Sequence, residues 1–387
     1  MFPKLRFKEF DGDWSSVSLL EISTLITKGT TPKQFIEGNI NFLKIEAITQ
    51  NGFDLSKCQT ISDEINNKEL KRSVLTEGDI LFAIAGATIG KNAIVQKELL
   101  PANTNQALAI IRLKENYSKI FISKVLNSPL MEKYIDINIS TGAQPNLNLQ
   151  QIGSFSFALP KLEEQTKIAS FLSAVDEKIS QLTQKLELLS QYKQGMMQKL
   201  FSQQIRFKAD DGSEFGEWGN SYIGDVCKIT TGNKDTQNKV DDGEYPFFVR
   251  SQTVERINSY SMDCEAVLTS GDGVGVGKNY HYIDGKFDFH QRVYCLFDFS
   301  ENILGKYLYI YFSSYFYDRV KRLSAKNSVD SVRMDMISKM EIQLPCLEEQ
   351  TKIANFLSSI DQKIEVVAQQ IEQAKQWKKG LLQQMFI

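Results

Sequence analysis

Histidine is nearly absent from this sequence. The 387 residues hold two, His281 and His290, both in the second half, so a histidine-based catalytic centre shared by both halves is excluded. The five cysteines, at 58, 227, 264, 295 and 346, are scattered, odd in number and never spaced as Cys-x-x-Cys. They support neither a zinc site nor a disulfide framework, which suits a reducing compartment and leads to the expectation of a cytoplasmic protein. No run of about 18 apolar residues occurs, so no transmembrane helix is expected. The opening MFPKLRFKEFDGDW lacks the apolar stretch of a signal peptide. The eight prolines are never adjacent, which removes the Asn-Pro-Pro-aromatic motif of amino-methyltransferases. No nuclease pattern of the PD…ExK kind and no helicase motif is present, so catalysis by this chain alone is not expected.

Charge of one sign is missing too. Lys and Arg number 45 against 47 Asp and Glu; residues 1–158 carry 17 against 16, and residues 204–343 carry 17 against 21. That is not the basic balance of a protein that binds nucleic acid unaided. Either the chain binds none, or it does so through local patches while a partner supplies most of the phosphate contacts. The length predicts two or three domains.

What the sequence has is a repeat. Residues 159–179 read LPKLEEQTKIASFLSAVDEKI and residues 344–364 read LPCLEEQTKIANFLSSIDQKI, with 16 identities in 21 positions at a constant offset of 185. Pro160 and Pro345 disfavour helix before them and suit a helix start after them. The paired glutamates that follow belong at the positive end of a helix dipole. Apolar residues then recur at alternating spacings of four and three. The first copy places Ile168, Leu172, Val175, Ile179, Leu182 and Leu186 on one seam; the second places Ile353, Leu357, Ile360, Ile364, Val367 and Ile371. Such a heptad pattern over about four repeats predicts a coiled coil, roughly 60 Å long for some 40 residues. A globular segment separates the two helices, so an intrachain pair must run antiparallel if that segment stays compact. The alternative is a coiled coil between chains; connectivity favours the intrachain pair. Lys193 and Lys378 interrupt the seams at equivalent places. They either fix register or snorkel into solvent, and snorkelling is the favoured reading.

A weaker repeat lies upstream of each helix. Leu5-Arg6-Phe7-Lys8 matches Ile205-Arg206-Phe207-Lys208, and Trp14 matches Trp218. The repeating unit is therefore an arm, a globular segment and a long helix, and residues 1–10 are expected to pack near 380–387. Strands are predicted at 41–45, 78–84, 93–95 and 108–113, followed by a helix over 117–135 and a polar loop at 140–146. The second segment has the same order: strands at 246–249, 266–268, 281–283 and 293–297, a helix over 304–320, and a polar loop at 324–331. The fold class is α+β: two globular α/β domains separated by two long antiparallel coiled-coil helices, with pseudo-two-fold organisation. Domain boundaries are placed at 1–158, 159–203, 204–343 and 344–387.

Two glycine-rich stretches miss the nucleotide-binding patterns. Gly86 to Asn92 is one residue short of a phosphate loop, with asparagine where the metal-binding hydroxyl belongs. Gly273 to Lys278 is followed by strand rather than helix. Turns between strands are the better reading of both. Candidates for reading DNA bases are polar residues on loops. In the first domain these are Lys91, Asn92, Asn105, Gln106, Thr141, Gln144 and Asn146. In the second they are Lys278, Asn279, His290, Gln291, Arg292, Arg322, Lys326 and Arg333. For each, the alternative is an ordinary solvated loop or a capping group. A non-catalytic protein-interaction scaffold, its two domains spaced by a coiled coil, is the rival reading.

The repeated LPxLEEQTKIAxFLSxxDxKI, together with the arms, the Gly-Lys turns and the polar loop carrying Thr141, Gly142, Gln144 and Asn146, resembles the specificity subunits of type I restriction–modification enzymes along the whole chain. The resemblance implies two target-recognition domains, each reading one half of a split asymmetric site in double-stranded DNA. It implies helices that set the spacer and dock two methyltransferase subunits. It implies no cofactor in this chain: S-adenosylmethionine would sit on the methyltransferase subunits, and ATP and magnesium on restriction subunits. The second domain departs from the pattern at Ser331-Val332-Arg333-Met334.

Overall fold

The computed structural model describes residues 2–49, 52–139, 145–273, 275–323 and 331–386. The chain divides into two units, Met1–Leu186 with Val366–Ile387, and Glu187–Glu365.

In the first unit, Ile80–Ala83 and Leu108–Leu113 are apolar runs buried on both faces. They form the centre of a four-stranded sheet ordered Ser23–Lys28, Leu108–Leu113, Ile80–Ala83, Asn92–Ile94, antiparallel throughout. Side chains alternate across a strand. Accordingly Ile80, Phe82, Ala109 and Ile111 enter one core with the helices, while Leu81, Ala83, Leu108 and Ile110 enter a second core on the other face. A three-stranded sheet adds Gln59–Ile61, Ile40–Leu43 and Ala102–Thr104.

The second unit repeats the plan with a longer sheet. Its order is Lys228–Thr231, Val293–Phe297, Met262–Ser270, Tyr280–Phe289, Tyr245–Phe248, Val254–Ile257. The predicted strand at 266–268 is the buried centre of a nine-residue strand.

The helix predicted over 117–135 is two helices, Lys119–Leu126 and Pro129–Asn138. Ser128 between them is extended, at φ −95° and ψ 161°, because the residue before a proline avoids the helical region, while Pro129 suits a first turn whose N–H has no partner anyway. The counterpart has no proline and runs unbroken from Gly305 to Leu323.

The long helices span Leu162–Phe201 and Leu347–Met385. Ile168, Leu172, Val175, Ile179, Leu182, Ile353, Leu357, Ile360, Val367 and Ile371 are buried; Leu186 and Ile364 are half-buried. In the first unit the helices run antiparallel: Phe171 meets Trp377 edge-on, and further along Leu182 and Gln370 line one hollow between them. The seam lysines do not simply snorkel. Lys378 Nζ lies 2.6 Å from Asp176 Oδ1 in the first unit, and Lys193 Nζ lies 2.6 Å from Asp361 Oδ1 in the second. These four residues are repeat equivalents, so one interhelix ion pair is made twice and pins the register. The reading that favoured snorkelling is corrected by the partner aspartates, which the seam pattern does not contain.

The repeated Glu-Glu-Gln has a specific task. Arg6 of the arm grips Glu164 through Nε and Nη2, both at 2.8 Å. Arg206 grips Glu349 in the same bidentate manner at 3.0 and 2.6 Å. Both glutamates are buried, where an unpaired carboxylate is untenable. The next residue ties in the domain. Gln165 Oε1 accepts the backbone N–H of Ser118, which caps the helix beginning at Lys119, and Gln165 Nε2 donates to Pro160 O. Gln350 repeats this with Leu304 N–H and Pro345 O. Phe7 packs edge-on against Phe171, and Phe207 against Phe356. The expectation that the N-terminal arm meets the C-terminal end holds in the first unit: Leu5 N–H donates to Gln384 O at 3.0 Å, and Phe386 joins the core against Phe121.

Replacing Arg206 by alanine strands Glu349 in the core. The expected loss is about 3 kcal/mol in urea unfolding, with the double variant Arg206→Ala/Glu349→Gln losing less. Equal losses would show that the pair is not what holds the arm.

Candidate nucleic-acid interface

The strand registers gather loops at one end of each sheet. In the first unit Ala83 pairs with Leu108, Phe82 with Asn92, and Lys28 with Ala109. The ends of two strands and the starts of two others therefore coincide. Three connections emerge there: 84–91, 105–107 and the segment after 144. They are stitched together, since Ile84 N–H donates to Ala107 O and Leu147 N–H donates to Ile84 O, both at 2.9 Å. In the second unit Ser270 pairs with Val293, and Thr269 with both Tyr294 and Tyr280. The same three connections emerge, stitched by Gly271 N–H to Arg292 O and Val332 N–H to Gly271 O, both at 2.7 Å. The correspondence pairs Lys91 with Lys278, Asn105 with His290, Gln106 with Gln291, Ala107 with Arg292 and Asn146 with Ser331.

Each Gly-Lys turn needs its glycine. Gly90 and Gly277 lie at φ +94° and +65°, the left-handed region that costs other residues energy. This geometry presents Lys91 and Lys278 outward, both exposed; Lys278 Nζ lies 5.4 Å from the centre of the Tyr317 ring.

The predicted residues separate into two groups. Exposed at the sheet ends are Lys91, Gln106, Asn146, Lys278, Gln291 and Arg292, with Asn105 half-buried beside them. Gln106 Oε1 accepts from Thr31 Oγ1, Asn105 Oδ1 accepts from Ala107 N–H, and Gln291 Nε2 donates to Asp235 Oδ2. Arg333 is exposed just after the Asp272–Ser331 bridge. Arg322 is exposed on the last turn of the helix ending at Leu323.

Three others are structural. Asn92 is buried, accepting from Ser123 Oγ and donating to Gly90 O, so it fastens its strand to a helix. Asn279 is buried and donates to Arg250 O and Ser270 Oγ. His290 is buried, with Nδ1 accepting the Arg292 N–H at 2.9 Å. The surface placement expected for these three is corrected: next to a turn, a short polar side chain spends its hydrogen bonds on the turn itself. Thr141, Gln144 and Lys326 lie outside the described residues.

Two arginines and an aspartate were missed. Arg250 follows the strand Tyr245–Phe248, and its Nη1 donates to Asp272 Oδ1 at 3.2 Å; Arg292 Nε lies 3.7 Å from Asp272 Oδ2. In the first unit Arg72, exposed, reaches Thr30 Oγ1 at 3.3 Å. Only the fold brings these residues to the sheet end. Among the described residues no group of His, Cys, Asp and Glu is arranged to hold a metal ion, and no helix is long and apolar enough to cross a membrane.

Residues 11–191 and 216–376 match the family model described as the type I restriction modification DNA specificity domain, one match for each repeat and together most of the chain. The chain belongs to the type I restriction–modification specificity subunits. Among relatives of this specificity subunit, the type I restriction enzyme MjaVIII specificity subunit of Methanocaldococcus jannaschii is 27% identical, with 97% of this chain and 94% of that protein aligned. The EcoDI specificity subunit of Escherichia coli is 31% identical across 41% of this chain and 35% of its own. The crystal structure of the S subunit from M. genitalium shares the fold at a TM-score of 0.66, with 14% identity and coverage of 100% and 99% of the two chains. The two units therefore hold two target-recognition domains, and DNA and the other subunits of a type I assembly are this specificity subunit's partners. The near-neutral charge fits a member of a complex in which others share the phosphate contacts.

Burial lowers the affinity of His281 and His290 for protons below the ordinary histidine value of 6.5, and Arg250 pushes His290 further the same way against Asp235 and Asp272. The unfolded chain therefore takes up protons first. The stability these neutral rings supply is fully present above 6.5 and is lost as pH falls below it. Hydrogen exchange across 204–343 should accelerate between about pH 7 and pH 5.5. Residues 1–158 contain no histidine and should show no matching change once exchange is corrected for intrinsic rate. Equal sensitivity in both regions would contradict the assignment.

Proposed function

We propose that the sheet-end loops of the two recognition domains read the two halves of a split, asymmetric site in double-stranded DNA. The observation that supports this is the correspondence of positions without correspondence of side chains. The same three stitched connections carry Lys91, Asn105, Gln106 and Asn146 in one domain, and Lys278, Gln291, Arg292 and Arg333 in the other. The polar loop of the first domain adds Thr141 and Gln144 to the candidates by sequence, and that of the second adds Lys326. A common backbone frame with different donors and acceptors is what two different base sequences require.

On this reading the chain carries no catalysis and no cofactor of its own. S-adenosylmethionine sits on methyltransferase subunits, and ATP and magnesium on restriction subunits, all in the cytoplasm. Two methyltransferase subunits dock on equivalent stretches of the long helices. Tyr192 and Trp377, repeat equivalents, are 51% and 54% exposed, and they offer two copies of one partner the same aromatic anchor. The long helices set the spacer between the half-sites.

Replacing residues 1–158 by the first domain of another specificity subunit should change one half-site and leave the other intact, as read from protection of randomised duplexes by the assembled complex. A change in both halves would contradict modular reading. Inserting one heptad at facing positions of both long helices should lengthen the unspecified spacer by about three base pairs, since seven helical residues rise roughly 10 Å. An unchanged spacer would remove the ruler.

A further inference from the structure

We propose that Arg292 determines specificity for a guanine in the half-site read by the second recognition domain, with Asp272 as its positioning residue. The inference deepens the half-site reading and rests on it.

The loop that carries Arg292 is held on every side. Gln291 N–H donates to Lys234 O at 2.9 Å, Arg292 N–H donates to the buried His290 Nδ1 at 2.9 Å, and Arg292 O accepts from Gly271 N–H at 2.7 Å. A backbone so constrained fixes where the side chain begins. The side chain itself is 67% exposed, and among the described residues its guanidinium makes no hydrogen bond. It is tethered only by charge, with Nε 3.7 Å from Asp272 Oδ2, while Asp272 Oδ1 is held by Arg250 Nη1 at 3.2 Å. Five donors in a planar fork are thus presented at the sheet end, unspent but aimed.

The chemistry selects the ligand. A guanidinium fork pairs bidentately with O6 and N7 of guanine, and guanine alone presents two acceptors side by side in the major groove. A residue serving only a phosphate gains nothing from a carboxylate beside it, because Asp272 repels the same anion. A residue that must meet a fixed planar edge gains orientation from that carboxylate. Asp272 has both oxygens turned to arginines, so it is poorly placed to accept from cytosine itself. The first domain has Ala107 at the corresponding position, where Ile84 N–H meets the backbone carbonyl in the same way. Alanine has no polar side-chain atom, so this guanine contact belongs to the second domain only.

The test uses the full chain in complex with its methyltransferase subunits and a library of randomised duplexes. The unaltered complex should select guanine at one position of one half-site. Arg292→Ala should weaken that preference by roughly ten- to a hundredfold and leave every other position of both half-sites unchanged. Asp272→Asn should weaken the same preference to a smaller degree, at the same position. Arg292 is exposed, and unchanged thermal unfolding of the variant confirms that the domain stays folded. A uniform loss of affinity with unaltered base preference would make Arg292 a phosphate contact and overturn the proposal while leaving the half-site reading standing. An unchanged preference would overturn it as well. Loss of preference in both half-sites would overturn the half-site reading beneath it.

Discussion

A buried carboxylate at the start of each long helix holds the rest of the molecule in order. Glu164 and Glu349 lie where water cannot reach them, and each is neutralised by the guanidinium of an arm that arrives from far away in sequence. Burying a charge is tolerable only with a partner of matched geometry, so the arm has one place to go. The adjoining Gln165 and Gln350 take the backbone N–H groups at the start of each recognition-domain helix. Two consecutive side chains thereby fix arm, helix and domain to one another. This explains why the Glu-Gln pair recurs unchanged while the domains around it do not: substituting Glu164, Gln165, Glu349 or Gln350 leaves a buried polar group unpaired.

The seam adds a second constraint of the same kind. Apolar heptads alone leave register free to slip by a turn. The pairs Lys378–Asp176 and Lys193–Asp361 are half-exposed and contribute little to stability, but a slipped register would separate them. In the first unit Lys124 also pairs with Asp176, which ties the recognition-domain helix Lys119–Leu126 to the long helix. On the proposed reading, rigidity here serves the loops, since a base-reading side chain is only as well aimed as the frame that carries it.

Much of this was legible in the sequence, and the gaps have physical causes. The two long helices, the shared strand order and the meeting of arm and C-terminal helix follow from local periodicity and from the repeat itself. The break at Ser128-Pro129 was equally local and was overlooked because the apolar spacing continues across it. The partners of Lys193 and Lys378 were not legible, because Asp176 and Asp361 lie off the heptad seam and become neighbours only once the helices cross. Of the loop residues, the sequence placed all on connections between strands but could not separate Asn92, Asn279 and His290, which turn inward, from Lys91, Lys278 and Arg292, which turn outward. Hydrogen bonding within a turn makes that choice. Arg250 and Asp272 escaped because nothing near them in sequence says that they share a sheet end with Arg292.

The proposed function rests on two dissimilar readers in one chain, and this has a direct measurement. DNA methylation is mapped across the genomes of cells that carry this chain with its partner subunits, and of cells from which only this chain is deleted. The account predicts one methylation motif that vanishes on deletion, made of two different defined halves separated by an unspecified spacer of fixed length. A motif that is continuous, or that has two identical halves, or that survives the deletion, would contradict it.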